Sequence, residues 1–296
     1  MIKMPRKRYL ISIACFAALM ISLHACMTFR MSEKEIDKHF KAKNIVVKQD
    51  VVKTGKRTQH FIATGKENSP TVVFVHGSPG SLSAFIDFLS DTLLLSKAYL
   101  ITVDRPGFGY SNFGKAEPSL QGQAALLKPL LELRKQQKPI ILVGHSLGGP
   151  VIARMAMDYP ELVDGLIIVA GSIDPELEPN ERWFRVPLST PFFSWLMPLS
   201  FKASNDEILE AKKELGQMLP LWKNIKCPVI VLQGLEDNLV PPGNADFAKR
   251  MITNAPVQIV LKDKVNHFIP WTHPEMIQQA ILQMLVQLET NGVARQ

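Results

Sequence analysis

The sequence predicts an α/β fold: a mostly parallel central sheet flanked by helices on both faces, with a small helical lid insertion. Three observations carry this. Short apolar runs rich in β-branched residues recur at 71–75, 99–103, 140–143, 166–169, 229–232 and 257–261. Runs of four or five residues without a polar face suit strands buried on both sides, as parallel strands are. Segments of helical character lie between them, and such alternation builds a parallel sheet with helices covering it. One interval, 170–228, is too long for a plain crossover and marks an insertion.

In chain order, residues 1–25 stand apart. Lys3, Arg6, Lys7 and Arg8 precede the apolar run 10–23, and no acid occurs before residue 26. A short basic region, an apolar stretch and a small residue before a break describe an export signal. The run Leu23-His24-Ala25-Cys26 resembles a bacterial lipoprotein box, although His24 departs from it. That resemblance implies lipidation at Cys26, with the chain held at a membrane. The alternatives are an uncleaved signal anchor, near the lower length limit for a spanning helix, and a simple cleaved signal.

The folded domain is expected over 40–296. It opens on an antiparallel pair, 45–52 and 58–64, around Thr54-Gly55-Lys56. Helices are expected at 81–95, 119–137, 147–159, 244–253 and 274–288. In the last, Met276, Ile277, Ala280, Ile281, Met284, Leu285 and Leu288 form an i, i+3, i+4 stripe. The lid insertion is placed at 175–225. Five prolines fragment its first half, and 204–219 then reads as a helix capped by Ser204 or Asn205. Its aromatics, Trp183, Phe184, Phe192, Phe193, Trp195 and Trp222, either cover a site at the strand ends or glue the insertion to the domain.

Composition removes several function classes. Of 296 residues, 46% are hydrophobic and 21% charged, too apolar for a disordered chain and too short of long apolar runs for a multi-span membrane protein. The net charge of +7 raises the question of a nucleic-acid partner. Four of those charges belong to the first eight residues, and the remainder holds no basic stripe, so no nucleic acid is expected. Cys15 and Cys26 belong to the leading segment. Cys227 alone can form neither an intrachain disulfide nor a metal cluster within the domain, and it reads as a small buried hydrophobe. No metal and no cofactor are expected.

The chemistry gathers at strand ends. The strand at 140–143 runs into Gly144-His145-Ser146-Leu147-Gly148-Gly149, followed by helix. Strand, G-x-S-x-G, helix is the nucleophile-elbow pattern, in which serine sits on a sharp turn and the flanking glycines remove Cβ atoms that would collide there. His76-Gly77-Ser78-Pro79-Gly80 follows the first central strand, and such a loop can aim a backbone N–H at a developing oxyanion. The expected donors are Ser78 and Leu147. His76 is expected to hold its loop rather than act as a base.

These two stretches and Asp104-Arg105-Pro106-Gly107-Phe108-Gly109-Tyr110-Ser111 resemble the three signature stretches of the α/β-hydrolase superfamily, in its order and spacing. The resemblance covers roughly 45–290. It implies that Asp104 belongs to a structural turn. Gly234-Leu235-Glu236-Asp237-Asn238-Leu239-Val240-Pro241 resembles the family's acid loop, which makes Asp237 the acid. Asn266-His267-Phe268 follows the last strand, which makes His267 the base. Glu236, Asp174 and Asp263 are rivals for the acid, and His145 and His273 for the base.

A serine at the elbow, where epoxide- and halide-processing relatives carry aspartate, points to acyl chemistry through a tetrahedral intermediate. The expected function is a serine hydrolase cleaving an ester or related acyl bond of a hydrophobic small molecule. An acyltransferase, a C–C bond hydrolase and a proline iminopeptidase-like peptidase stay open. The sequence shows no obvious acidic cluster to grip a free amino terminus. A non-enzymatic binding protein on the same scaffold is the opposing class.

Overall fold

A computed structural model describes residues 6–137 and 139–292. Lys3 of the expected signal lies outside the described residues, as do the side chains of Leu23, His24 and Ala25 in the lipoprotein-like box. Helix α1 spans Arg6–Cys26. Among the described residues no helix is long and apolar enough to cross a membrane.

Helix α2, Glu33–Lys41, starts at a reciprocal cap in which Ser32 Oγ accepts from the Glu35 N–H and Glu35 returns a bond to the Ser32 N–H. Its Ile36 and Phe40 are buried in the core, so packing reaches back before residue 40. The hairpin follows as β1 (Lys48–Thr54) and β2 (Arg57–Thr64), antiparallel, with Gly55 at φ +58° in the turn. Strand β3 is Thr71–Val75.

Residues 81–95 do not form the single helix expected. They break into two 3-10 turns, Leu82–Phe85 and Phe88–Ser90, and a one-turn helix α3, Thr92–Leu95. Short polar side chains divert the backbone. Ser81 Oγ accepts from Ser83 N, Asp91 accepts from Leu94 N, and Asp104 takes the Leu82 N–H.

Next come β4 (Tyr99–Val103), α4 (Leu120–Glu132), β5 (Ile140–His145), α5 (Gly148–Asp158) and β6 (Gly165–Val169). Helix α4 stops short of the expected 137. Arg134 turns off to donate to Thr71 Oγ1 and Glu67 O.

The insertion carries α6 (Arg182–Leu188), α7 (Pro191–Leu196) and α8 (Leu199–Met218). Helix α8 begins more than a turn earlier than expected, because the Pro198 carbonyl accepts from Lys202 N and starts the ladder. Ser204 and Asn205 are therefore not caps. They lie buried inside the helix.

The chain closes with β7 (Val229–Gly234), α9 (Gly243–Met251), β8 (Val257–Lys262), α10 (Ile269–Thr272) and α11 (Pro274–Thr290). The eight strands form one sheet in the order β1-β2-β4-β3-β5-β6-β7-β8. β1, β2 and β4 pair antiparallel, and β4, β3, β5, β6, β7 and β8 pair in parallel. Apolar side chains of α4, α5 and α9 pack on one face, and those of α2, α3 and α11 on the other. Buried runs on the central strands thus dictate a sheet sandwiched by helices, and its parallel strands end together on one edge.

Candidate active site

The elbow is built as its spacing requires. Ser146 follows β5 and sits at φ +54°, a left-handed conformation that a residue with a Cβ adopts at a cost of about 1–3 kcal/mol. Close approach of neighbouring backbone fixes it. A Cβ on Gly148 would stand 2.3 Å from Val75 O, so a side chain there would push the elbow off β3. The strain places Ser146 in a cavity of about 860 Å³ at the strand ends.

Ser78, Leu147 and His267 line the same cavity. Among the described residues the N–H groups of Ser78 and Leu147 find no hydrogen-bond acceptor, so both remain available. Among the described residues His267 bonds through Nδ1 to Asp237 and no hydrogen bond joins it to Ser146 Oγ; such bonds often tighten only around substrate.

Asp237 and His267 come together through neighbouring strand ends. The Leu235 and Glu236 N–H groups bond to Lys262 O and Val265 O, which ties the loop after β7 to the loop after β8. Asp237 Oδ2 then accepts from His267 Nδ1 at 2.8 Å and from Gln233 at 3.2 Å, while Oδ1 accepts from the Leu239 and Val240 N–H groups. Burial pushes the Asp237 carboxyl up. Hydrogen bonds from His267 and from the Val240 and Leu239 N–H groups outweigh it and hold the carboxyl below its ordinary value. The rivals lie elsewhere. Glu236 and Asp263 are exposed, and Asp174 accepts from Glu176 N and faces Arg250.

The two remaining histidines of the motif loops are supports. His76 is fully buried, with Nδ1 against Gly77 O at 2.6 Å and Nε2 accepting from Arg105 N at 3.0 Å. Burial and then the Arg105 charge push it well below the usual imidazole range. His145 lies with its ring centroid 4.7 Å from that of His267, and its Nε2 meets the His267 carbonyl. Burial, followed by the charge of His267, lowers it to about 3, so it stays neutral beside the expected base. Asp104 is the structural turn expected: it accepts from Leu82 N, Tyr110 N and His60. Cys227 is buried, and burial pushes its thiol up to about 12.

Two features of the site escape the sequence. The first is Arg105, wholly buried, which donates to His76 O, Gly77 O, Gln123 and both carboxylate oxygens of Glu207. It bolts the loop carrying Ser78 to α4 and to lid helix α8. Burial pushes the Glu207 carboxyl up, against the opposing pull of Arg105. Glu207→Ala strands the buried guanidinium and is expected to cost about 3–5 kcal/mol in chemical denaturation; a loss below about 1 kcal/mol would show that α8 is not held by this pair. The second is a polar patch within the cavity, formed by Ser172, Glu178, Glu181, Arg185 and Asn205. The absence of an obvious acidic cluster in the sequence is corrected here: Glu178 and Glu181 both reach the cavity wall.

The lid aromatics divide three ways. Phe184 lines the cavity. Trp222 is buried with its ring edge-on to Phe247, so it glues the insertion down. Trp183, Phe192, Phe193 and Trp195 do neither, being 79%, 67%, 45% and 71% exposed.

The family described as the alpha/beta hydrolase fold matches residues 70–213. Together with the eight-stranded sheet, this decides the architecture. The chain has the α/β-hydrolase fold. A thermophilic esterase from Thermogutta terrifontis shares this fold with a TM-score of 0.63 at 22% identity, over 81% of this chain and 99% of that one. A 2-hydroxy-6-oxononadienedioate/2-hydroxy-6-oxononatrienedioate hydrolase from Pseudomonas sp is 23% identical over 252 residues, covering 72% of this chain and 87% of that protein. A 1-acylglycerol-3-phosphate O-acyltransferase from Arabidopsis thaliana is 33% identical over 127 residues, which are 40% of this chain. The chain spans only 29% of that protein's length. The names of these three similar proteins differ: an esterase, a hydrolase and an O-acyltransferase.

Proposed function

We propose that the protein is a serine hydrolase that cleaves an ester, or a related acyl bond, of a hydrophobic small molecule. The observation that carries it is the strained Ser146 opening onto one cavity with His267, whose Nδ1 is held by the buried Asp237. Ser146 Oγ attacks the acyl carbon and passes its proton to His267 Nε2. Asp237 fixes the tautomer and stabilises the imidazolium. The oxyanion takes the Ser78 and Leu147 N–H groups, aimed before the charge forms. His267 then returns the proton to the leaving alcohol, and water repeats the sequence on the acyl-enzyme. The mainly apolar cavity favours a hydrophobic acyl group. Transfer to an alcohol and C–C cleavage use the same apparatus. An ester, thioester and C–C substrate panel with product analysis separates them, and ester turnover to free acid is the expected result.

The leading segment joins this reading. Residues 27–30 are stitched to elements around the cavity: Met27 O accepts from Ser200 Oγ, Phe29 O from Ser81 Oγ, and Arg30 donates to Gly109 O. The Phe29 ring packs edge-on against Phe201 of α8 and lines the cavity. Lipidation at Cys26 would therefore hold the cavity, through Phe29, close to a bilayer. Cys26→Ser is expected to move the protein from the membrane to the soluble fraction and to remove the lipid mass from its N-terminal peptide. An unchanged fraction and mass would contradict lipidation.

A further inference from the structure

Most of the cavity wall is apolar, and its polar patch has one unmet requirement. Asn205 is 2% exposed, and its Nδ2 donates to the Arg185 carbonyl at 3.2 Å. A carbonyl only accepts, so this bond fixes the amide's orientation and leaves Oδ1 as the free end. Among the described residues Oδ1 has no hydrogen-bond partner. A buried amide oxygen without a donor is unfavourable, and Asn205 lines the cavity where a ligand can supply one.

The neighbours decide what kind of donor fits. Ser172 N bonds to Ser146 O, so the patch adjoins the elbow. Ser172 Oγ already donates to Glu178. The Arg185 guanidinium is engaged by Glu181 at 2.6 Å, so its charge is answered within the patch. Toward the cavity Asn205 Oδ1 stays open as an acceptor, beside Glu178 and an Arg185 guanidinium whose Nε and Nη2 are held by Glu181. A carboxylate or phosphate on the ligand brings only acceptors and cannot supply the donor that Asn205 Oδ1 lacks. A full ammonium calls for a free negative partner, and the carboxylates of the patch are already committed, Glu181 to Arg185 and Glu178 to Ser172. A neutral hydroxyl meets Asn205 without burying a charge.

We propose that this patch is a hydroxyl-recognition subsite, selecting substrates that carry a neutral hydroxyl group a few bonds from the scissile acyl bond. The position of that bond rests on the serine hydrolase reading above. The hydroxyl belongs either to the alcohol part, as in a glyceryl ester, or to the acyl part, as in a hydroxyacyl ester.

Binding of non-hydrolysable ethers to the full chain tests this without turnover. The probes are 1-O-octylglycerol, propyl 2-hydroxyoctyl ether, octyl propyl ether and octyl 3-aminopropyl ether, each measured by calorimetry. One of the two hydroxylated ethers is expected to bind about 10-fold more tightly than octyl propyl ether, the equivalent of one hydrogen bond. Which of them does so tells whether the hydroxyl sits on the alcohol or the acyl side. Asn205→Leu is expected to cut that advantage below about 3-fold. Equal binding of all neutral ethers overturns the proposal, as does tightest binding of the amine or an advantage that survives Asn205→Leu. The wild-type comparison stands even if the variant misfolds. It also stands if Ser146 proves not to be a nucleophile, so the two readings fail separately.

Discussion

Ser146→Ala lowers kcat/KM on a p-nitrophenyl ester by about 10⁴-fold or more, while the folded structure persists. The size follows from what is removed. Without Oγ no acyl-enzyme forms, and only the oxyanion donors and the cavity remain to assist water. Ser146 holds φ +54°, and alanine carries the same Cβ, so the turn and its strain are retained. The far-UV spectrum and melting temperature should therefore match the parent closely. Turnover that survives the change would place the nucleophile elsewhere.

His267→Ala should be nearly as damaging, and His273→Ala should change kcat/KM by less than about 3-fold. The two histidines are six residues apart in sequence yet differ in every contact that matters. His267 is 6% exposed, bonded through Nδ1 to Asp237 and turned to the cavity. His273 precedes α11 and meets Thr272 Oγ1, outside the cavity wall. Asp237→Asn tests the same arrangement from behind. An amide at that place no longer selects the tautomer that leaves Nε2 free, and a loss of about 10⁴-fold in kcat is expected. If His273→Ala proves the more damaging of the two, the base has been misassigned.

The strands were legible because each central run is short, β-branched and buried on both faces, and no other environment demands that pattern. The elbow was legible for a related reason: only glycines tolerate the backbone contacts that Gly148 makes with β3. Residues 81–95 misled because their apolar spacing is helical, while Ser81, Asp91 and the distant Asp104 take the N–H groups that a helix would use. Ser204 and Asn205 misled differently. Both are good capping types, but Pro198 had already started the ladder, which turned Asn205 inward as a cavity residue. The Arg105–Glu207 pair spans 102 positions and couples a motif loop to the lid. Neither residue carries a local signal for it, since its cause is the burial of both charges in one place.

Labelling of the full chain with a fluorophosphonate, followed by peptide mapping, tests the central claim most directly. Such a probe is attacked only by a serine whose base and oxyanion donors are in place. Stoichiometric modification confined to Ser146, abolished in His267→Ala, is the expected result. A folded protein that resists the probe, or that is labelled at another residue, would contradict it.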